Sequence, residues 1–455
     1  MQKAAFAAMI LLLVGCINRK EETLRRSLHR TSGVVRLPAG VVEISSELDL
    51  TPGSKDLEIQ GHPSGTVIRA AGNFRGRALI VARSASHIRF RNFTIDGNKT
   101  QFQKTAGLPP SDTPFAQFTP DNGILVERVG DVTISGVRLR NIAGFAILIS
   151  SCANVAIENA EVEDSGSKNQ TGRNNTTGGI LLEEGVIGFR VVDCRLSRIR
   201  GNGVWTHSLY RSPRNGYGLI ARNVFDTIGR DPIQIGHAYN VLVENNTGTR
   251  IGFPHEVVDV EGGGIPAALD TAGNVERCTY SGNRFEEVNG KCIDLDGFHE
   301  GKILNNTCIN KGSAEDYPHG HYGIVFNNSN PDMTSERVVV SGNTIDGAKF
   351  GGIFVIGSRH SIVGNHLRNL NKARCNESGN RFGCLSFPKD PRLLETGIYL
   401  GRGAERPAVA RHNVITDNEI SGYKMKTRCI AAAPGVSLVN NLVRNNRCAD
   451  SVDGP

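Results

Sequence analysis

ARNVFDTIGRDPIQIGHAYNVLVENNTG, residues Ala221 to Gly248, holds one full period of this chain, with Asn223 and Asn246 at the same place in two short phrases. The phrase returns as SGNRF (Asn283), LNNTC (Asn306), SGNTI (Asn343), VGNHL (Asn365), TDNEI (Asn418) and VNNLV (Asn441). Within the pairs 223/246, 283/306, 343/365 and 418/441 the spacing is 22 or 23 residues; the other intervals, 37 and 53 residues, read as one or two coils plus an insertion. A repeat of this length cannot bury an apolar face alone and must stack on copies of itself. Each period contains short β-branched strands broken by Gly, Asn or Asp, as in GILVERVGDVTISGVRLRNIAG from Gly123. The expected fold is therefore all-β: a parallel β-helix, or solenoid, of 22–23-residue coils. In such a stack like positions lie about 4.8 Å apart, so an inward Asn can pass amide hydrogen bonds from coil to coil. A solvated Asn-rich turn is the alternative.

The chain has 455 residues, 39% of them hydrophobic and 21% charged, with 53 glycines, too apolar for disorder and too rich in Gly and Asn for a helical protein. The repeat runs without a linker, so residues 33–450 are expected to form one elongated domain. The start differs. Residues 1–15 are a short apolar run ending Leu13-Val14-Gly15, which with Cys16 resembles a bacterial lipoprotein signal whose cysteine is lipidated. The run is too short for a permanent membrane span. It implies export and a lipid anchor at Cys16 in the bacterial cell envelope, in the periplasm or at the outer membrane or cell surface. Residues 16–32 then form a basic tether and a short capping helix over the open end of the solenoid.

Without Cys16, nine of the ten cysteines remain, an odd number in a compartment that permits disulfides. Cys375 and Cys384, within one inserted loop, are the expected pair, and the others suit a small-residue core. No cysteine spacing matches a zinc site. The net charge of +7 is spread along the chain; it suits anionic glycans, and the absence of aromatic-basic runs argues against nucleic acid.

Aligning the first strand of each coil on its aliphatic residue gives Ile180, Val204, Ile233, Leu269, Ile293, Ile324, Ile353 and Ile398. The period of two then turns outward Leu181, Trp205, Gln234, Asp270, Asp294, Val325, Phe354 and Tyr399, and two residues on, Glu183, His207, Gly236, Ala272 and Asp296. Polar and aromatic groups gather between Glu183 and Asp296, with His237 and His299 just beyond the strands. Asp270 and Asp294 would stand about 5 Å apart, Asp294 and Asp296 about 6.7 Å, and Asp270 and Asp296 about 8 Å diagonally. Carboxylates that close do not both ionise freely, so one is expected to hold a proton as general acid while another activates water. The diagonal distance suits inverting glycosidases and the shorter one retaining enzymes. Asp270, Asp294, Asp296 and His299 are the expected catalytic groups. Trp205, His207, Gln234, His237 and Glu183 are expected to bind substrate, as are His255, Glu256, His319 and His321 on overhanging loops, with Asp259 and Glu261 beside the first pair. For Glu183 and His207 a purely structural role is an equal alternative.

The opening VVRLPAGVVEISSELDL, LEIQGHPSGTVIRA and IRFRNFTIDGN, together with the coils, resembles the right-handed parallel β-helix, or pectin-lyase-like, superfamily over nearly all of the chain. The resemblance implies a polysaccharide ligand and one of several reactions: hydrolysis, β-elimination or uronate epimerisation, or binding without turnover. Asp270, Asp294 with Asp296, and then His319 or His321 are similar in order to the acids and histidine of polygalacturonase-type enzymes, although the Asn-Thr-Asp and Arg-Ile-Lys phrases are missing. Phe253-Pro254-His255-Glu256 resembles an Asp-Pro-His-Glu signature of mannuronan epimerases with Phe253 in place of its acid. Hydrolysis is the leading expectation, with no cofactor; a lyase would use Lys291 or Lys302, and calcium.

Overall fold

The computed structural model describes residues 19–102, 109–167, 176–258, 264–330, 333–379, 381–384, 390, 392–403 and 406–451. One coil shows the plan: strands Phe145–Ser150, Ala153–Glu158 and Glu161–Glu163 follow one another across two-residue turns. Each pairs in parallel with its counterparts one coil before and one coil after. Repetition builds three parallel sheets, termed A, B and C in the order a coil visits them. Among the described residues the fold is a single-stranded parallel β-helix.

Sheet A keeps the register expected from the aliphatic column. Ile180 pairs with Val204, Val204 with Ile233, Ile233 with Leu269, Leu269 with Ile293, Ile293 with Ile324, Ile324 with Ile353 and Ile353 with Ile398. All are buried in one continuous core. Each fully buried aliphatic side chain is worth about 1.5–3 kcal/mol, so the stack is the main stabilising term.

The asparagines lie inside the turn from sheet B to sheet C. The residue before each one, Arg222, Asn245, Gly282, Asn305, Gly342, Gly364, Asp417 or Asn445, has φ between 54° and 67°. Glycine adopts that left-handed backbone freely and Asn or Asp at small cost, which is why SGN and NN recur. The backbone N–H and Nδ2 of Asn223 both donate to Oδ1 of Asn246, at 3.0 and 2.9 Å. The same pair of bonds links 246 to 283, 283 to 306, 306 to 343, 343 to 365 and 365 to 418. These residues are buried, so the ladder and not a solvated turn is what the interval encodes.

The last rung corrects the sequence register. Asn446, not Asn441, follows Asn418, donors again meeting Oδ1 at 3.0 and 2.8 Å. Asn441 ends a second column, in which His360 N–H donates to Asn413 Oδ1 at 2.8 Å and Asn413 N–H donates to Asn441 Oδ1 at 3.0 Å. The 3-10 turn Leu438–Asn440, inserted ahead of the sheet B strand Leu442–Arg444, lengthens this coil and displaces the repeat phrase.

Residues 19–28 form a helix against the first coil, with Leu24 and Leu28 in the core. Arg25 donates to the carbonyls of Ser46 and Glu47 at 2.7 Å, and Glu21 Oε1 accepts from Ser45 N–H at 3.1 Å. These bonds occupy edge groups of the strand Gly40–Asp49 that have no preceding coil to meet. Cys16 lies outside the described residues. Cys375 is bonded to Cys384 and Cys429 to Cys448, a second disulfide that spacing did not suggest. Cys152, Cys194, Cys278, Cys292 and Cys308 are free and buried.

Candidate active site

The outward column of sheet A divides into three stretches. At the N-terminal end Val81, Leu125, Leu148 and Leu181 are covered by Phe115 and Ala116 of the short helix Phe115–Phe118. At the C-terminal end Val325, Tyr399 and Ala431 are covered by the insertion carrying Ala373, Cys384 and Leu394. Between these two apolar lids Gln234, Asp270 and Asp294 follow one another. In this column Gln234, Asp270 and Asp294 stand on the coils that neither apolar cluster covers.

Leu269 pairs with Ile293, which sets Asp270 beside Asp294. Gln234 pairs with Asp270 and donates its Nε2–H to Asp270 Oδ2 at 2.6 Å, while its Oε1 accepts from Asn202 Nδ2 at 2.5 Å. Asp294 forms an ion pair with Lys291 on its own strand. Asp231 completes the group: its Oδ1 accepts from Ala267 N–H at 2.7 Å, and Arg230 Nε lies 3.5 Å from Oδ2. The cluster thus holds three carboxyls against two cations, so one proton neutralises it. Asp270 is the natural holder: burial, then the charges of Asp231 and Asp294, push its carboxyl well above the usual range. Burial also raises Asp231. Burial alone would lower the Lys291 ammonium, but the carboxylates of Asp294, Asp270 and Asp296 outweigh it and the net shift is upward. Asp296, one strand-face position on, accepts from Ser329 N–H at 2.8 Å and from the Ser329 hydroxyl; burial brings it up to about 6.

Other expected groups are placed differently. His299 is not beside the aspartates: the chain turns at Gly297 (φ 71°), and His299 pairs with Glu276 on sheet B. Glu183 is fully buried, and its two oxygens accept from Phe115 N–H at 2.9 Å and Ala116 N–H at 2.8 Å, so it ties the first lid to the sheet and is closed to substrate. Burial pushes it up to about 7 against the pull of those donors. Trp205, expected to bind substrate, is half-buried and packs edge-on with Phe115 and His207, at ring separations of 5.2 and 5.1 Å, so part of it is taken up by the lid. His207 is held neutral by burial, down to about 4. His237 sits at the bulge from sheet A to sheet B with φ 47°, its Nδ1 accepting from Asn274 N–H at 3.2 Å.

Of the loop residues, His255 and Glu256 are exposed on the 3-10 turn His255–Val257, and Asp259 and Glu261 lie outside the described residues. His319 N–H donates to Asn289 Oδ1 at 2.7 Å. His321 is half-buried near Lys291 and Lys349, held neutral by desolvation down to about 3, and its Nδ1 has no hydrogen-bond partner among the described residues. Asp231, Asn202 and Arg230 escaped the column reading. Asn202, Asp231 and Lys291 each lie two residues before the aligned aliphatic, so extending the same alignment two positions would have found them.

The family model described as "right handed beta helix region" matches residues 78–265 and 178–369, more than half of the chain. No curated protein sequence matches it. Among solved structures, the surface adhesin PfbA of Streptococcus pneumoniae is 16% identical over 77% of this chain and 86% of the adhesin, with a TM-score of 0.53. The A-module of a mannuronan C-5 epimerase from Azotobacter vinelandii is 14% identical over 95% of this chain and 94% of the module, with a TM-score of 0.51. A polygalacturonase from Erwinia carotovora ssp. carotovora is 18% identical over 71% of this chain and 89% of the enzyme, with a TM-score of 0.49. At these identities the likeness is one of fold. Three parallel sheets, the strand register and the family match together establish that the chain belongs to the right-handed β-helix family.

Proposed function

We propose that the protein hydrolyses glycosidic bonds of a polysaccharide at the polar window of sheet A, with Asp270 as general acid and Asp294 as the ionised partner. The observation that carries this reading is the strand pairing of Leu269 with Ile293, which sets two carboxyls with opposite environments side by side. Asp270 is crowded by acids, whereas Asp294 meets the Lys291 ammonium. Glycoside hydrolysis needs that division between a proton donor and a charged carboxylate. The adjacent spacing of about 5 Å is that of retaining enzymes, in which the second carboxylate attacks the sugar and water later releases it. Asp296, held by Ser329 at the margin of the window, would contact a neighbouring sugar hydroxyl.

A second reading, β-elimination, is favoured by Lys291, which could offset a uronate carboxylate, with the unpaired Nδ1 of His321 close by. Incubating the full-length protein with a panel of acidic and neutral polysaccharides separates the two. New reducing ends without ultraviolet absorbance support hydrolysis, and both together support elimination. Binding with neither would replace both readings by a glycan-binding role. For localisation, Leu13-Val14-Gly15-Cys16 supports export and lipidation at Cys16. Loss of the protein from the membrane fraction in Cys16→Ser cells is the expected result; retention would overturn it.

A further inference from the structure

A cavity of about 760 Å³ lies away from the polar window, between Lys311–Glu315, the turn that follows sheet C strand His366–Leu370, and the loop closed by the Cys375–Cys384 disulfide. Its size falls in the range of roughly 300–1,000 Å³ typical of small-ligand sites. The walls carry four cations, Lys311, Lys372, Arg374 and Arg381, and one acid, Glu315.

The cations are held in different ways. Arg381 pairs with Glu315 at 2.9 Å, and Lys311 reaches Glu286 at 3.2 Å. Arg374 lies over the Tyr423 ring, its guanidinium carbon 4.3 Å from the centre, a cation–π contact that holds it at the wall. Lys372 donates to the carbonyls of Asn310 and Gly312 at 2.8 and 2.6 Å; among the described residues Asp346, Glu287 and Asp316 act on its charge, but none forms an ion pair with it. Two hydrogen bonds leave one ammonium proton unused.

A second feature is independent of charge. Asn371 is fully buried in the cavity wall, yet its Oδ1 has no partner among the described residues, while its Nδ2 donates to Tyr423 O at 3.4 Å. A buried acceptor left bare is costly, and a ligand hydroxyl would satisfy it once the Asn371 side chain turns toward the cavity. Cations beside a free amide acceptor, with the Ser313 and Ser378 hydroxyls in the same walls, call for a ligand that is both anionic and polyhydroxylated.

We infer that this cavity is a binding site for a negatively charged sugar unit, a uronate or a sulfated residue, separate from the carboxylate window. The insertion bearing the disulfide then has two roles: it covers the apolar end of sheet A and shapes a pocket for an acidic glycan.

Calorimetric titration of the full-length protein carrying Asp294→Asn, so that turnover does not consume the probe, tests this. The probes are trigalacturonate, a sulfated trisaccharide, a neutral galactotriose and inorganic phosphate. Binding of at least one anionic trisaccharide, at least tenfold tighter than galactotriose and phosphate, is expected, and which one binds identifies the charged group. Arg381→Glu, at an exposed position, and Lys372→Gln should each weaken it tenfold or more with an unchanged circular dichroism spectrum. Equal binding of the neutral sugar, phosphate binding as tight as the saccharide, or unchanged affinity in Arg381→Glu would overturn the site. None of these outcomes bears on hydrolysis at Asp270.

Discussion

Gln234 Nε2 donates to Asp270 Oδ2 at 2.6 Å, and the Gln234 amide cannot flip because its own Oε1 is held by Asn202 Nδ2 at 2.5 Å. Asn202 Oδ1 in turn accepts from Asp231 N–H at 3.3 Å. A hydrogen-bonded line therefore crosses three coils and orients one oxygen of Asp270 toward the protein, leaving the other for a proton. A donor to a carboxylate favours its charged form. Gln234→Leu should accordingly raise the Asp270 pKa further and move the alkaline limb of the pH–rate profile upward. An unmoved limb would show that Asp270 is not the titrating acid.

Asp270→Asn and Asp294→Asn should each reduce turnover by about 10²–10⁴-fold, the usual contribution of general acid–base groups. Reducing-end release from the responsive polysaccharide measures this. Asp294→Asn activity within tenfold of wild type would remove it from the reaction.

Stability should fall as pH rises through weakly acidic values. Asp296 is raised from 3.8 to about 6 and Glu183 from 4.5 to about 7, chiefly by burial. Between the lower and upper values the folded state binds more protons than the unfolded chain, so unfolding free energy declines with increasing pH. Glu183→Gln, which keeps an acceptor for the lid N–H groups, should flatten the part of this decline between about pH 4.5 and 7. Glu183→Ala should cost about 2–4 kcal/mol, because two buried N–H donors lose their acceptor. Urea melts at several pH values check both.

Asn306→Ala in mid-ladder should cost about 2–3 kcal/mol, since the backbone N–H and Nδ2 of Asn283 lose a common acceptor and Tyr280 O loses a donor. Asn446→Ala, at the solvent-facing last rung, should cost less than about 1 kcal/mol. Comparable losses at the two sites would mean that burial does not set the strength of the ladder.

Reducing or replacing Cys429–Cys448, which closes a 19-residue separation, should release about 3 kcal/mol of chain-entropy restraint on the last coils. Faster hydrogen exchange confined to residues after Cys429 is the expected signature.

Fold and register were legible in the sequence because each coil repeats the same local problem. An aliphatic must face inward every second residue, and the turn from sheet B to sheet C needs a left-handed residue followed by an Asn. The column through Ile180, Val204, Ile233, Leu269 and Ile293 follows from that period alone. The pairing of Asp270 with Asp294 comes with it. The ladder failed only at Asn441, where an inserted 3-10 turn brought a look-alike phrase one turn of the coil too early.

What needed tertiary structure is everything decided by insertions and by the corners of the solenoid. Period two cannot tell that the chain bends at Gly297 and carries His299 to another sheet, nor that the helix Phe115–Phe118, dozens of residues upstream, folds back to consume both oxygens of Glu183. Asp231 precedes the strand Ile233–Glu244 and Lys291 opens the strand Lys291–Asp296, and their charges reach Asp270 only because the coils stack. Sequence repetition thus determined which residues share a face. Whether that face is covered or open, and which of its carboxyls keeps a proton, depended on loops whose lengths do not repeat and on burial, which no single coil possesses.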